Sequence, residues 1–176
     1  MRRILVVLVV LLNFCLVKDV VGQERPKLQI SQGIGVSSLS LSTIHTFYTN
    51  NFESELYFLL FPWMETSYSL NYVRLFPNEQ WRDSSYLQFN ANIYAIFYNR
   101  KRIGVNIGTG FSIFDLDNIS KKYLKGYTPV GFNLILEPRI NITKCLIIRL
   151  KFMVQLYQNK NINYGAIVKF GYKLNG

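Results

Sequence analysis

A chain of 176 residues is long enough for one ordinary domain, and its 49% hydrophobic content stands against only 17% charged residues. No internal stretch approaches the roughly 18 consecutive apolar residues of a membrane-spanning helix. If the chain lies in a membrane it must cross as a closed β-barrel, the other architecture that satisfies every backbone donor and acceptor.

The N-terminus has the pattern of a secretory signal peptide. Met1-Arg2-Arg3 is a basic start, and Ile4–Val17 is an apolar run broken by Asn13. Val20-Val21-Gly22 ends in a small residue suited to cleavage before Gln23. Residues 1–22 are therefore expected to direct export, and 23–176 to form the mature domain; an uncleaved anchor is the alternative. Cys15 lacks the small preceding residues of a lipoprotein signal, so no lipid is expected there. Processing would leave 17 basic and 9 acidic residues, a net charge of +8. A basic exported protein has no nucleic acid to meet. Anionic lipid or lipopolysaccharide is the better-matched surface. Cys145 is the one cysteine after residue 22, so no intrachain disulfide is possible in the mature chain.

Beyond the signal the apolar period is two, repeatedly. Leu28, Ile30, Ile34 and Val36 alternate with Gln29, Ser31, Gly33 and Gly35 in a first strand. Leu39–Phe52 is polar and aromatic and is expected to be a loop. Glu53–Phe61 is a strand with apolar residues on both sides toward its end, which leaves its register open. Pro62-Trp63-Met64-Glu65 is expected to turn. Thr66–Phe76, Tyr86–Tyr98, Arg102–Phe114 and Tyr127–Arg139 each alternate, separated by Pro77–Ser84, Asn99–Lys101 and Asp115–Gly126. The last two strands are the most regular. Leu146, Ile148, Leu150, Phe152, Val154 and Leu156 oppose Ile147, Arg149, Lys151, Met153, Gln155 and Tyr157. After Gln158–Asn161, Ile162 to Tyr172 repeats the pattern against Asn163, Gly165, Ile167, Lys169 and Gly171.

Eight strands of about 11–13 residues suit a tilted crossing of a bilayer. Longer connections after strands 1, 3 and 5 alternate with short turns after 2, 4 and 6, as in an up-and-down barrel with external loops and periplasmic turns. The polar face is crowded with Gly33, Gly35, Gly104, Gly108, Gly110, Gly131, Gly165 and Gly171. Glycine weakens an ordinary strand but suits a narrow interior. The polar face is therefore expected inside and the Leu/Ile/Phe face outside in lipid. Tyr68, Tyr72, Phe97, Tyr164 and Tyr172 stand where aromatic girdles would form. A soluble barrel around an apolar cavity is the competing architecture. The inward face then also carries Glu55, Glu137, Arg139, Arg149, Lys151 and Lys169. Charges there must be paired or wetted, and eight strands leave little room for water. A plug of salt bridges is expected, with a conducting ion path as the alternative.

The signal, the eight strands and the Gly/Asn interior resemble the small outer-membrane β-barrel family of Gram-negative bacteria, the OmpX/OmpA-barrel and PorT-like type. The last strand is similar to the C-terminal signal read by the barrel assembly machinery, with Asn163, Gly165, Val168 and Phe170 at the matching positions. The chain departs from many members in ending Lys173-Leu174-Asn175-Gly176. The resemblance implies an all-β transmembrane barrel in the outer membrane. Its implied partners are outer-membrane lipid, lipopolysaccharide and the assembly machinery.

Candidate chemistry is sparse. His45, with Asp83 and Ser84, is similar to the trio of lipid A palmitoyltransferase barrels, a His base activating a hydroxyl. The flanking residues do not extend that match, and the helix that precedes such barrels has no room before Leu28. Metal binding has no support in one His and one mature Cys. Asp115-Leu116-Asp117-Asn118 is followed by Lys121, Lys122 and Lys125 and is expected to be a solvated loop. No cofactor is expected. These lysines and Lys160 could contact lipopolysaccharide phosphates, and protein partners would dock on Leu39–Phe52 or Asp115–Gly126. The expected role is therefore structural or interactive, without enzymatic activity. A narrow channel, a lipid A acyltransferase and an accessory barrel of a secretion machine are the alternatives.

Overall fold

The computed structural model describes residues 28–41, 45–76, 85–99, 102–115, 130–157 and 161–174. They form eight antiparallel strands closed into a barrel: β1 Leu28–Leu41, β2 His45–Phe61, β3 Met64–Leu75, β4 Ser85–Asn99, β5 Ile103–Asp115, β6 Val130–Asn141, β7 Leu146–Tyr157 and β8 Ile162–Leu174. Each strand pairs with its sequence neighbour, and β8 closes on β1. Leu28 pairs with Phe58, Phe58 with Thr66, Thr66 with Ile93 and Ile93 with Thr109. Thr109 then pairs with Leu134, Leu134 with Val154, Val154 with Tyr164 and Tyr164 with Ser38. The circuit thus returns to β1 ten residues beyond its start. That stagger tilts the strands and fixes the barrel's width.

Three interruptions break the regular ladder, and all lie toward the end where the chain turns shortly. Bulges sit between Leu59 and Phe61 in β2 and between Ile96 and Tyr98 in β4. A bulge bends its strand and sharpens the local twist. On β6 the ladder to β7 steps from Leu136–Phe152 to Arg139–Arg149, omitting Glu137 and Pro138. The proline nitrogen has no hydrogen to give there, and Pro138 keeps its place by pairing with Val105 of β5.

The wall's outer face is apolar. Ile34, Leu70, Ile93, Ile107, Leu134 and Phe170 are all exposed, Ile34 at 60% and Phe170 at 64%. In water such a band would be an aggregation surface, whereas hydrocarbon requires it. Phe61 stacks on Trp63 at 5.5 Å and 9° beside exposed Phe97, Tyr98 and Tyr172 at the turn-side end. Tyr48, Tyr72, Phe76 and Tyr164 are exposed at the opposite end. Two aromatic belts thus bracket the band, the arrangement of side chains that lie at membrane–water interfaces.

Three expectations are corrected. Leu39–Phe52 is not a loop: β1 runs to Leu41 and β2 begins at His45, which pairs with Leu41. The alternation simply continues in polar residues, with Thr49 and Asn51 buried inward and Tyr48 and Phe52 outward. The first connection is therefore residues 42–44. The turn at Pro62–Glu65 occupies only residues 62 and 63, because Met64 pairs with Phe61 and Glu65 with Leu59. Asp115 belongs to β5, opposite Leu87, rather than to a loop. Residues 1–22, Pro77–Ser84, residues 116–126 and Lys160 lie outside the described residues.

Glycine has a steric role at Gly108 of β5, where an added Cβ would lie 2.5 and 2.7 Å from the ring carbons of buried Tyr94. Gly108→Leu is expected to destabilise the barrel by about 1–3 kcal/mol, as overpacking does. Ile107→Leu, one residue away on the outer face, should leave it unchanged. Urea titration followed by the gel shift between folded and boiled protein compares the two.

Candidate functional site

Among the described residues the interior holds a connected chain of alternating charges. Arg139 lies 3.5 Å from Glu65, and Glu65 2.8 Å from Arg149. Arg149 reaches Glu137 at 2.5 Å, and Glu137 reaches Lys169 at 2.5 Å. Lys169 contacts Glu55 at 2.6 Å, Glu55 contacts Lys151 at 3.3 Å, and Lys151 ends on Glu53 at 2.7 Å. Four cations and four carboxylates therefore sum to zero. All eight are buried, Arg139 being the most exposed at 8%.

The strand pattern positions them. In β2 the odd residues Glu53, Glu55 and Tyr57 face inward, which resolves the register that its apolar end obscures. Glu65 follows from β3, Glu137 and Arg139 from β6, Arg149 and Lys151 from β7, and Lys169 from β8. The remaining strands supply neutral partners. Gln29 of β1 accepts from Arg149 at 2.8 Å, Tyr94 of β4 donates to Glu55 at 3.2 Å, and Asn106 of β5 donates to Glu65 at 2.5 Å. Tyr57 sits at the centre. Its hydroxyl lies 2.8 Å from Glu55 and 2.7 Å from Glu137, accepts from Lys169, and its ring lies 3.8 Å beneath the Arg149 guanidinium. Ser67 of the adjoining strand β3 donates to Glu55. Every strand thus touches one network, and charge-assisted bonds of this kind are stronger than neutral ones.

Above this layer, toward the loop-side end, the filling turns neutral. Gln155 bonds Asn133 at 3.1 Å, Asn133 bonds Asn92 at 3.0 Å, and Asn163 bonds Gln155 at 2.7 Å. Asn90 joins Gln88 at 2.8 Å and Ser69 at 2.9 Å. Aromatic rings follow: Phe114 lies 5.1 Å from Tyr86 and 4.8 Å from Tyr157. Charge, amide and ring succeed one another along the axis and fill the lumen.

Of the residues expected inside, the structure brings Glu55, Glu137, Arg139, Arg149, Lys151 and Lys169 into one network. Sequence reasoning missed Glu53 and Glu65. Glu53 shares the odd phase of Glu55 and could have been found by it; Glu65 was hidden by assigning it to a turn. Tyr57 and Tyr94 were also missed, since aromatic residues suit either face of such a wall. On β8, Asn163 is buried, Gly165 half-buried, and Val168 and Phe170 exposed outward, beside β1. His45 opens β2 rather than lying in a loop, and Asp83 and Ser84 lie outside the described residues. Among the described residues no group of three His, Cys, Asp or Glu could hold a metal ion.

No family model matches the sequence, and a search of curated proteins finds no match. Solved structures do match. Neisserial surface protein A superposes with a TM-score of 0.69 at 8% identity, over 86% of this chain and 100% of the other. Ail, the attachment invasion locus protein of Yersinia pestis, gives 0.58 at 10% identity, over 86% and 100%. The outer membrane enzyme PagL gives 0.52 at 9% identity, over 83% and 99%. The fold is that of the small outer-membrane β-barrels. At such identities the likeness extends to architecture and no further.

Removing one carboxylate from the centre of the chain leaves buried positive charge. Glu137→Gln is expected to cost about 3–5 kcal/mol, the usual penalty for breaking a buried pair. Adding Lys169→Met restores neutrality and should recover part of that loss. Reversible urea unfolding in detergent or lipid compares the two variants with the parent.

Proposed function

We propose that this protein is an integral outer-membrane β-barrel with a structural or surface-interaction role, closed to ions and without catalytic activity. The observation that carries the reading is a wall apolar on its outer face around a lumen crossed by eight mutually paired charges. A conducting barrel needs a wetted path, and the charge, amide and aromatic layers fill that space. The fold shared with outer-membrane barrels supports the location.

Residues 1–22 direct export in this reading, and 23–176 form the barrel. Outer-membrane lipid surrounds the wall, with lipopolysaccharide at the loop-side end. The barrel assembly machinery reads β8 through Asn163, Gly165, Val168 and Phe170. A protein partner docks at the loop-side end.

Membrane fractionation is expected to place the protein in the outer membrane as a band that shifts on boiling. In planar bilayers the purified barrel should give no conductance steps. Replacing Arg149, Lys151 and Lys169 together by alanine should produce them if the protein still inserts. Recovery as a soluble periplasmic protein, or steady conductance from the parent, would overturn the reading. Lipid A mass spectra should be the same with His45→Ala as with the parent; a missing acyl change in the variant would assign an enzyme instead.

A further inference from the structure

We propose that the protein pairs with a second copy of itself in the membrane through the outer face of β1 and β2, with Gln32 of each copy on the two-fold axis. The inference rests on the apolar wall lying in lipid.

That wall is not uniformly apolar. On β6 and β7 every outward side chain is apolar, from Val130 to Ile140 and from Leu146 to Leu156. On β1 the outward row includes Gln32 and Ser38, and on β2 it includes Asn50 and Ser54. Ser38 and Asn50 stand toward the loop-side belt, since Tyr48 and Tyr164 both pair with Ser38. Gln32 lies between that belt and Tyr172 of the turn-side belt, which pairs with Ile30. Its partners across the strands are Ser54 on one side and Phe170 on the other. Ile30 and Ile34 flank it on its own strand, both exposed.

Other hydroxyls on the wall are answered within it. Thr66 donates to the Asn92 carbonyl at 2.9 Å and Thr109 to the Asn133 carbonyl at 3.0 Å. Gln32 and Ser54 are exposed, and their side chains have no partner among the described residues. A polar group left open in hydrocarbon is costly. The backbone of β1 is already paired along both edges, so no further strand can add there. Only side chains can answer Gln32.

A second copy answers it. A carboxamide carries both donors and an acceptor. At a two-fold axis a patch faces itself, so each Gln32 donates to the other's oxygen and accepts in return. The shape agrees. Beside Gln32 the wall has a groove of about 440 Å³, lined by Ile30, Ser54, Leu56, Phe58, Tyr68 and Leu70 among others. On the opposite side of Gln32, Phe170 projects from β8, 64% exposed. A two-fold axis through Gln32 brings β8 of one copy over β2 and β3 of the other, so each Phe170 faces the other copy's groove. An acyl chain would fill the groove and leave the amide open.

The test is energy transfer between donor-labelled and acceptor-labelled copies of the membrane-purified protein, reconstituted together into phosphatidylcholine vesicles. The labels sit on Cys145, between β6 and β7 and away from the pairing face. Transfer in the parent should saturate as the protein-to-lipid ratio rises and vary linearly with the acceptor fraction, as for a dimer. Gln32→Leu should need roughly tenfold or more protein per lipid for the same transfer, the worth of the lost amide bonds in a bilayer. Ser54→Phe, which fills the groove, should weaken pairing as well. Thr109→Val, on the outer face of β5, should pair as the parent does. Each variant puts an apolar side chain into lipid, and the gel shift on boiling checks that it is folded. A parent that inserts but shows only the transfer of random encounters, the result if lipid alone covers the face, overturns the proposal. So does parent-like pairing by Gln32→Leu or by Ser54→Phe. A parent that does not enter vesicles overturns the placement of the wall in lipid, and the pairing with it.

Discussion

Eight charges sealed inside a narrow barrel can persist only if they cancel, and the structure depends on how they do so. Arg139, Glu65, Arg149, Glu137, Lys169, Glu55, Lys151 and Glu53 alternate in sign from the turn-side mouth toward mid-barrel. Burying any one alone would be costly by several kcal/mol even after relaxation. In sequence, most members follow no partner of opposite sign closer than the next strand. The pairing exists only when all eight strands are in register and the sheet is closed. A slip of one residue in β7 would turn Arg149 and Lys151 into lipid and leave four carboxylates to share Arg139 and Lys169. The network thus acts as a check on register that no exterior Leu or Ile could supply, since the outer wall tolerates any apolar neighbour.

The rest of the molecule is arranged around that chain. A soluble domain hides its apolar side chains and wets its charges. Here the apolar side chains form the surface, and the charges are enclosed. Solvation of the charges comes from Tyr57, Tyr94, Ser67, Gln29 and Asn106, one group from each of β1 to β5. Above them the amides of Asn92, Asn133 and Gln155 replace ions with neutral bonds, and Tyr86, Phe114 and Tyr157 end the filling with rings. The gradient from ion to amide to aromatic leaves the two ends of one pore chemically unlike, with polar contact concentrated at the turn side.

Much of this was legible from alternation alone. The period of two in Leu146–Leu174 fixes which side chains share a face, and the glycines of that face fix it as the crowded inner one. Legibility failed where the same rule met mixed chemistry. Thr49 and Asn51 continue the inward face of β2, but polar residues on both sides erase the contrast that marks a strand. Pro62 and Trp63 signal a turn correctly, yet nothing local says how soon the next strand starts, so Glu65 reads as part of the turn. Pro138 is tolerated within β6 because its neighbour Val105 supplies pairing on one side only. The partners of each charge were not readable at all. Glu65 and Arg149 are 84 residues apart, and their contact follows from closure of the whole sheet.

The charges are also sorted along the chain. Glu53, Glu55 and Glu65 come from β2 and β3, whereas all four cations come from β6, β7 and β8 with Glu137 as their sole local counter-ion. The first half of the barrel is therefore an anion on its inner surface and the second half a cation of equal size. Each half, folded by itself, would repel itself across its own concave face. Together they attract over the longest range available to a protein in a low-dielectric medium. Assembly is thereby biased against stable half-barrels: the early hairpins wait for the late ones, and the last strand to be made, β8, brings in Lys169, the ammonium that touches Glu53, Glu55 and Glu137 at once.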